Sequence, residues 1–349
     1  MKKPSIAKNF FSNYLPTLIV MWVGIALCAG DFRIRTFNGY FLIHNDSGTI
    51  WFPLTGDRLL AAVGVIYTVA LIPYYRLFPA MVSKARIAFS WLIRWVRRQH
   101  PHFGFAEKQA MLAIALKFFF LPLMLNFVIN NLGIMAREYH ALTTMVAGFH
   151  PHLYLLLLNL LFFVDVIIFT FGYMIEIPRL KNIIRSVEPT FLGWAVCLAC
   201  YPPFNGMVNT VLPWQSSDSP HFTNPASQLA ADWTILALIT IYVWASVALG
   251  WKASNLTNRG VISHGPYRWV RHPAYTSKNL AWWIGAVPSF TTSFSHSLSM
   301  GLWAIGCMAA VSVIYMARAW TEERHMSMLD DSYDHYKKRI RYRFIPGIY

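Results

Sequence analysis

Charged residues are scarce in this chain of 349 residues: they make up 13% of it, while hydrophobic residues make up 56%. A soluble domain carries roughly 25% charged residues, so the composition excludes an ordinary water-soluble fold. Acidic residues are fewest, with 15 Asp and Glu against 30 Lys and Arg. In a membrane chain such an excess is typical of loops retained in the cytoplasm beside anionic lipid. Because no soluble basic domain is present, no nucleic-acid partner is expected.

Cysteine is also rare, and the four residues lie inside apolar runs: Cys28, Cys197, Cys200 and Cys307. This placement predicts no disulfide framework. Cys197 and Cys200 have the spacing of a redox or metal pair, but no second pair accompanies them. We interpret them as packing residues one helical turn apart, and no metal site is predicted. Neither the glycine pattern of dinucleotide-binding folds nor that of the P-loop occurs in the sequence.

What the chain has instead is long apolar runs. A spanning helix needs about 20 mostly apolar residues. Eight segments meet or approach that length, namely 14–30, 59–75, 109–135, 152–177, 190–213, 232–251, 274–290 and 297–317. Lys and Arg are concentrated at both chain ends and in alternate loops, whereas the loop 214–231 has none. This alternation predicts an all-α, polytopic integral membrane protein with about eight transmembrane helices, a cytoplasmic C-terminal helix and both termini in the cytoplasm.

Three stretches depart from simple spans. Segment 81–98 mixes apolar residues with five cations, which predicts an amphipathic helix at the membrane surface. Residues 201–206, Tyr-Pro-Pro-Phe-Asn-Gly, predict a break in the fifth span, because proline removes a backbone donor. Such backbone must be buried in protein or line a cavity. Lys117 and Asp165 lie inside the third and fourth spans, where an ionisable group needs a partner or a wet cavity, and an ion pair between the two is one prediction.

Two polar clusters stand near the C-terminal end, at residues 256–275 and 318–325. The distribution of positive charge predicts that both face the cytoplasm. A site there can receive a water-soluble cofactor from the cytosol and a lipid from the bilayer.

These clusters contain a set of motifs in a fixed order. The motifs are Gly265-Pro266-Tyr267-x-x-x-Arg271-His272-Pro273-x-Tyr275, a short hairpin, Glu322-Glu323, Tyr333-x-x-Tyr336 and Arg341-x-Arg343-x-Ile345-Pro346. Together they resemble the isoprenylcysteine carboxyl methyltransferase and phospholipid N-methyltransferase group of membrane enzymes. The resemblance covers roughly residues 240–349. It divides the chain into an N-terminal transmembrane extension, 1–230, with about five spans and the helix 81–98, and a membrane-embedded methyltransferase core, 231–349.

The resemblance implies S-adenosylmethionine as methyl donor and a lipid-like or prenylated substrate that enters laterally from the bilayer. Carried over position by position, Glu322 and Glu323 meet the cofactor from the helix side. The loop side of the cofactor site comprises His264, Gly265, Pro266, Tyr267, Arg271, His272, Pro273 and Tyr275. Arg271, His272 and Glu322 are expected to act in catalysis.

The chemistry of these residue types agrees with the cofactor. Carboxylates suit its sulfonium and ammonium groups, and the planar guanidinium of Arg271 suits its carboxylate. His264 or His272 could take a proton from an amine acceptor, whereas a carboxylate acceptor needs no base. Adjacent helical residues face different directions. One glutamate is therefore expected to contact the cofactor and the other a loop arginine.

Two other functions remain open at this point. The closing residues 341–349 also resemble the end of sterol reductases, which use NADPH, and a chain of eight spans is nearer to their size. A non-catalytic lipid-binding protein of the same fold is the third alternative, and it predicts no nucleotide binding. The oligomeric state is left open.

Overall fold

The computed structural model describes residues 6–30, 41–44, 50–54, 56–144, 149–329 and 331–348, and this part of the chain is almost entirely helical. Its α-helices are α1 (Ile6–Gly30), α2 (Gly56–Leu77), α3 (Lys84–Val96), α4 (Phe105–Thr144), α5 (Phe149–Met174), α6 (Phe191–Leu198), α7 (Phe204–Val211), α8 (Pro225–Leu249), α9 (Pro273–Gly285), α10 (Val287–His296), α11 (Leu298–Met326) and α12 (Ser332–Arg339). Strands β1 (Phe41–His44) and β2 (Ile50–Leu54) pair antiparallel, as do β3 (Ser186–Val187) and β4 (Thr257–Asn258).

Six helices in the described ranges are long and apolar enough to cross a membrane, so the protein is an all-α, membrane-embedded chain. The candidate spans are Asn9–Cys28, Gly56–Leu77, Phe105–Thr144, His150–Met174, Pro225–Lys252 and Leu298–Met326. They correspond to six of the eight predicted segments. The fifth and seventh segments are instead pairs of shorter helices, α6 with α7 and α9 with α10. The count of eight spans and the orientation of the termini stay predictions.

The predicted break in the fifth segment is confirmed. Helix α6 begins after Thr190, whose hydroxyl accepts the amide of Gly193 at 3.2 Å, and it ends at Leu198. Helix α7 starts at Phe204, directly after Pro203. The chain between them contains both prolines, which cannot donate backbone hydrogen bonds to a continuing helix.

Two compact units divide the chain, and the first comprises Met1–Gly133. In it, α1 packs against α2 and α3. Tyr14 donates to the carbonyl of Thr68 at 3.1 Å. Helix α3 confirms the helix predicted at 81–98, and Ser83 caps it by accepting the amide of Arg86 at 3.0 Å. Its position at a membrane surface stays a prediction.

The second unit, Ile134–Tyr349, contains both polar clusters. Its apolar core lies between α5, α8 and α9, and the buried residues at its centre are Tyr154, Leu158, Ile235, Leu236, Ile239, Val243 and Ala281. Asp165 of α5 accepts hydrogen bonds from two residues of α8, Tyr242 at 2.8 Å and Ser246. These bonds satisfy the predicted need for polar partners. The domain boundary predicted at 230/231 lies inside this unit and rests on the resemblance alone.

Candidate functional site

The loop between α8 and α9 is shaped by a turn at Gly265, which has a φ of +59° and starts the 3₁₀ turn Gly265–Arg268. A left-handed backbone of this kind favours glycine. A Cβ at Gly265 would stand 2.9 Å from the Cβ of Ala248, so this glycine also lets the turn pack on α8. Pro266 is buried within the 3₁₀ turn, and Pro273 occupies the first position of α9. Both prolines fix the backbone on which the polar side chains stand.

The C-terminal tail is hydrogen-bonded to this loop through the backbone. The amide of Arg271 donates to the carbonyl of Tyr342 at 3.0 Å, and the amide of His272 donates to the carbonyl of Arg343 at 2.9 Å. Tyr336 of α12 donates to the carbonyl of Tyr267 at 2.7 Å. Three motifs that are separated in the sequence therefore meet in one place.

Glu323 is the centre of a buried ionic cluster. Arg343 donates to it through Nε at 3.1 Å and through Nη2 at 3.0 Å, a two-point contact that suits a carboxylate. Nε of Arg271 lies 2.9 Å from Oε1, and Nε2 of His272 lies 3.1 Å from the same oxygen. With a side chain only 6% exposed, Glu323 joins the loop, the tail and α11.

Glu322 has different surroundings. Its side chain is 29% exposed, and its Oε1 accepts hydrogen bonds from the Tyr275 hydroxyl and from Nε of Arg318 at 3.2 Å. Nδ1 of His272 lies 4.0 Å from the other oxygen, Oε2. The imidazole thus stands between the two glutamates, and it stacks on the ring of Tyr275 with centroids 5.4 Å apart.

Tyr267 belongs to the same loop and is partly buried. Burial, and then the negative charge of Glu322, raise the pKa of its phenol. The group therefore remains a neutral hydroxyl in the physiological range and can donate a hydrogen bond.

Arg318 connects Glu322 to a second group of polar residues, for which the sequence analysis predicted no role. Arg318 donates through Nη2 to Asn255, whose own Nδ2 donates to the hydroxyls of Tyr173 at 2.8 Å and Tyr201 at 3.1 Å. The guanidinium also lies over the rings of Tyr275, Tyr201 and Tyr315, at 4.9, 5.5 and 6.0 Å from their centroids. A clue was present in the sequence, since Arg318 precedes Glu322 by one helical turn.

The structure brings most of the predicted site residues together. Direct contacts or close charges connect Tyr267, Arg271, His272, Tyr275, Glu322 and Glu323. Gly265, Pro266 and Pro273 contribute backbone shape. His264 is exposed and makes no hydrogen bond or ion pair with the described residues. Its predicted cofactor contact stays a prediction.

No model of a known protein family matches the chain, and no curated protein sequence or solved structure matches it significantly.

Proposed function

We propose that this protein transfers a methyl group from S-adenosylmethionine to a lipid-like or prenylated acceptor at the cytoplasmic membrane face. The proposal rests on the different partners and exposure of the two adjacent glutamates. Glu323 is occupied by Arg271, Arg343 and His272, whereas Glu322 is partly exposed and accepts its hydrogen bonds from the described residues through Oε1 alone. A partly exposed carboxylate among phenols is suited to an organic cation.

The residue types fit this cofactor. Glu322, Tyr267 and Tyr275 offer a carboxylate and hydroxyl groups to its positively charged portion. When bound, S-adenosylmethionine supplies an electrophilic methyl group on a sulfonium. Nε of Arg271 pairs with Glu323. Only the remaining N–H groups of this guanidinium could therefore donate to a cofactor carboxylate.

His272 is the residue placed to handle a proton. Its Nε2 meets Glu323 at 3.1 Å, and its Nδ1 faces Glu322 at 4.0 Å. An imidazole nitrogen is a common proton acceptor in enzyme sites, so His272 is the candidate to take a proton released by an amine acceptor. A carboxylate acceptor releases no proton, and His272 then has an orienting role only.

The long apolar helices support an acceptor that reaches the site from the bilayer. A water-soluble acceptor would not require a chain with six candidate spans. The glutamate pair also lies in the last two turns of α11, a candidate span, and therefore near one end of that helix.

The proposal is tested with membranes that contain the protein, S-adenosylmethionine labelled in its methyl group, and two acceptors: a prenylated cysteine and a phosphatidylethanolamine. Label in the lipid-soluble fraction is expected from the wild type and not from Glu322→Gln. Alkali releases the label as methanol if an ester has formed and leaves it in place if an amine was methylated. The control is Asp334→Asn, which removes a carboxylate from α12 outside the cluster and should keep the activity. No transfer to either acceptor, or equal transfer by Glu322→Gln, would count against the proposal.

A further inference from the structure

Residues of α7 and of the loop that follows it line a pocket at the interrupted fifth segment. Its volume is about 250 Å³, below the roughly 300 to 1,000 Å³ of sites for drug-sized ligands. The lining residues are Asn205, Gly206, Asn209, Trp214, Gln215 and Ser216. The pocket therefore suits a small ligand, of the size of a single ring.

The polar side chains of this pocket have no partners in the part of the chain that the structure describes. The amides of Asn205, Asn209 and Gln215 make no hydrogen bond with a described residue, and neither does the indole N–H of Trp214. Each amide offers two N–H donors and an acceptor oxygen. The pocket can therefore form several hydrogen bonds, of both directions, with one ligand.

Charge is absent from the pocket. Segment 201–217, which contains every lining residue, has no Asp, Glu, Lys or Arg. Asp218 follows directly, but its carboxylate is paired with Lys278 at 3.0 Å. A charged ligand would therefore lose its hydration without gaining a counter-ion from these residues, which is unfavourable. The ligand that fits is neutral.

The loop side of the pocket is fixed by α9 and α10. The hydroxyl of Ser216 donates to the carbonyl of Trp282 at 2.7 Å, and the hydroxyl of Ser289 donates to the carbonyl of Gln215 at 2.9 Å. Gln215 also has a φ of +49°, a left-handed backbone that is uncommon outside glycine. Because the loop is held in this form by its neighbours, the wall of the pocket exists before a ligand arrives, which favours binding.

A sugar ring has the chemistry that matches this pocket. Its hydroxyls donate and accept hydrogen bonds, as the amides of Asn205, Asn209 and Gln215 do. The C–H face of a pyranose is apolar and packs on aromatic side chains such as Trp214. We propose that this pocket binds a neutral hexose, either free or as the headgroup of a glycolipid. The proposal does not depend on methyl transfer at the glutamate pair.

Gly206 allows the pocket to be filled without a clash in the fold. No atom lies within 4 Å of its ideal Cβ, and it stands inside α7, where leucine is a better helix former than glycine. Gly206→Leu therefore adds a side chain to the open space of the pocket. The matched control is Gly306→Leu in α11, where no atom lies within 4 Å of the ideal Cβ either.

The test uses the full chain in a detergent without sugar groups, titrated with the methyl glycosides of glucose, galactose and mannose. Saturation-transfer-difference NMR, which detects weak ligands, measures binding. Wild type and Gly306→Leu are expected to bind at least one glycoside saturably, and Gly206→Leu should lose this binding. Asn209→Ala removes one exposed amide and should weaken binding about fivefold. It decides the matter if Gly206→Leu fails to fold. No saturable binding of any glycoside, or wild-type binding by the folded pocket variants, would overturn the proposal.

A second titration distinguishes the two sources of the sugar. The probes are a dioctanoyl glycerolipid that carries the preferred hexose and dioctanoyl phosphatidylcholine. Binding of the glycolipid about tenfold or more above that of the methyl glycoside assigns a lipid headgroup. Equal affinities assign a free sugar, and both results support the site. Phosphatidylcholine that displaces the glycoside and no longer binds to Gly206→Leu would overturn the proposal, because the pocket would then accept an ionic headgroup.

Discussion

At the scale of single residues, Glu322 and Glu323 differ because successive side chains on a helix point about 100° apart. Glu323 turns toward the loop and the tail, where three basic groups surround it. Glu322 turns toward Tyr275 and Arg318 and keeps part of its surface exposed. Glu323 is therefore enclosed by basic groups, whereas Glu322 is the more exposed carboxylate of the pair.

Replacement of Glu323 by glutamine should destabilise the protein more than replacement of a surface carboxylate. The variant leaves Arg271 and Arg343, which are 11% and 18% exposed, without their shared anion. Loss of one partner from a largely buried ion pair costs about 3 kcal/mol of unfolding free energy. The measurement is the midpoint of thermal unfolding in detergent. The control is Asp334→Asn, which removes only an exposed ion pair with Lys337 and should lower the midpoint far less. An equal midpoint for Glu323→Gln and wild type would show that the cluster does not support the fold.

The sequence predicted part of this residue-level pattern. The prediction that one glutamate meets a loop arginine is confirmed for Glu323, which contacts Arg271. Which of the two does so depends on the rotation of α11 relative to the loop, and that rotation follows from tertiary packing. Asn255, Tyr173 and Tyr201 escaped prediction because their contacts join distant parts of the chain.

At the scale of helices, apolar length predicted the long elements well. It was less informative for the fifth and seventh segments, where short helix pairs replace single spans. Proline marks the first of these interruptions, at Pro202 and Pro203. In the second, α9 ends at Gly285 and α10 starts at Val287, directly before Pro288. A residue in the first turn of a helix can be proline at little cost, so Pro288 is compatible with a new start there.

Gly172 of α5 lies in close contact with the loop that follows α8. A Cβ at this position would stand 1.8 Å from the carbonyl oxygen of Ala253, a backbone atom that cannot move aside alone. Gly172→Ala should therefore lower the free energy of unfolding by about 3 kcal/mol through overpacking. Gly306→Ala in α11 is the control, because no atom lies within 4 Å of its ideal Cβ. That variant should be neutral or gain up to about 1 kcal/mol from helix propensity. Equal unfolding midpoints for the two variants would contradict the close contact.

At the scale of the whole molecule, the membrane character and the function rest on different observations. The all-α, membrane-embedded character follows from the long apolar helices. The methyltransferase function is a proposal, and it rests on the motif resemblance together with the chemistry of the glutamate pair. Most of the residues that the motifs single out are neighbours in the second unit, although the fold that brings them together could not be derived from the sequence alone.

The measurement that tests the central claim most directly is calorimetric titration of the detergent-solubilised protein with S-adenosylhomocysteine and, separately, with NADPH. The account predicts saturable binding of S-adenosylhomocysteine that Glu322→Gln loses and Asp334→Asn keeps, and no binding of NADPH. Binding of NADPH alone would contradict it in favour of a reductase. Binding of neither compound to the folded protein would favour a non-catalytic lipid-binding protein.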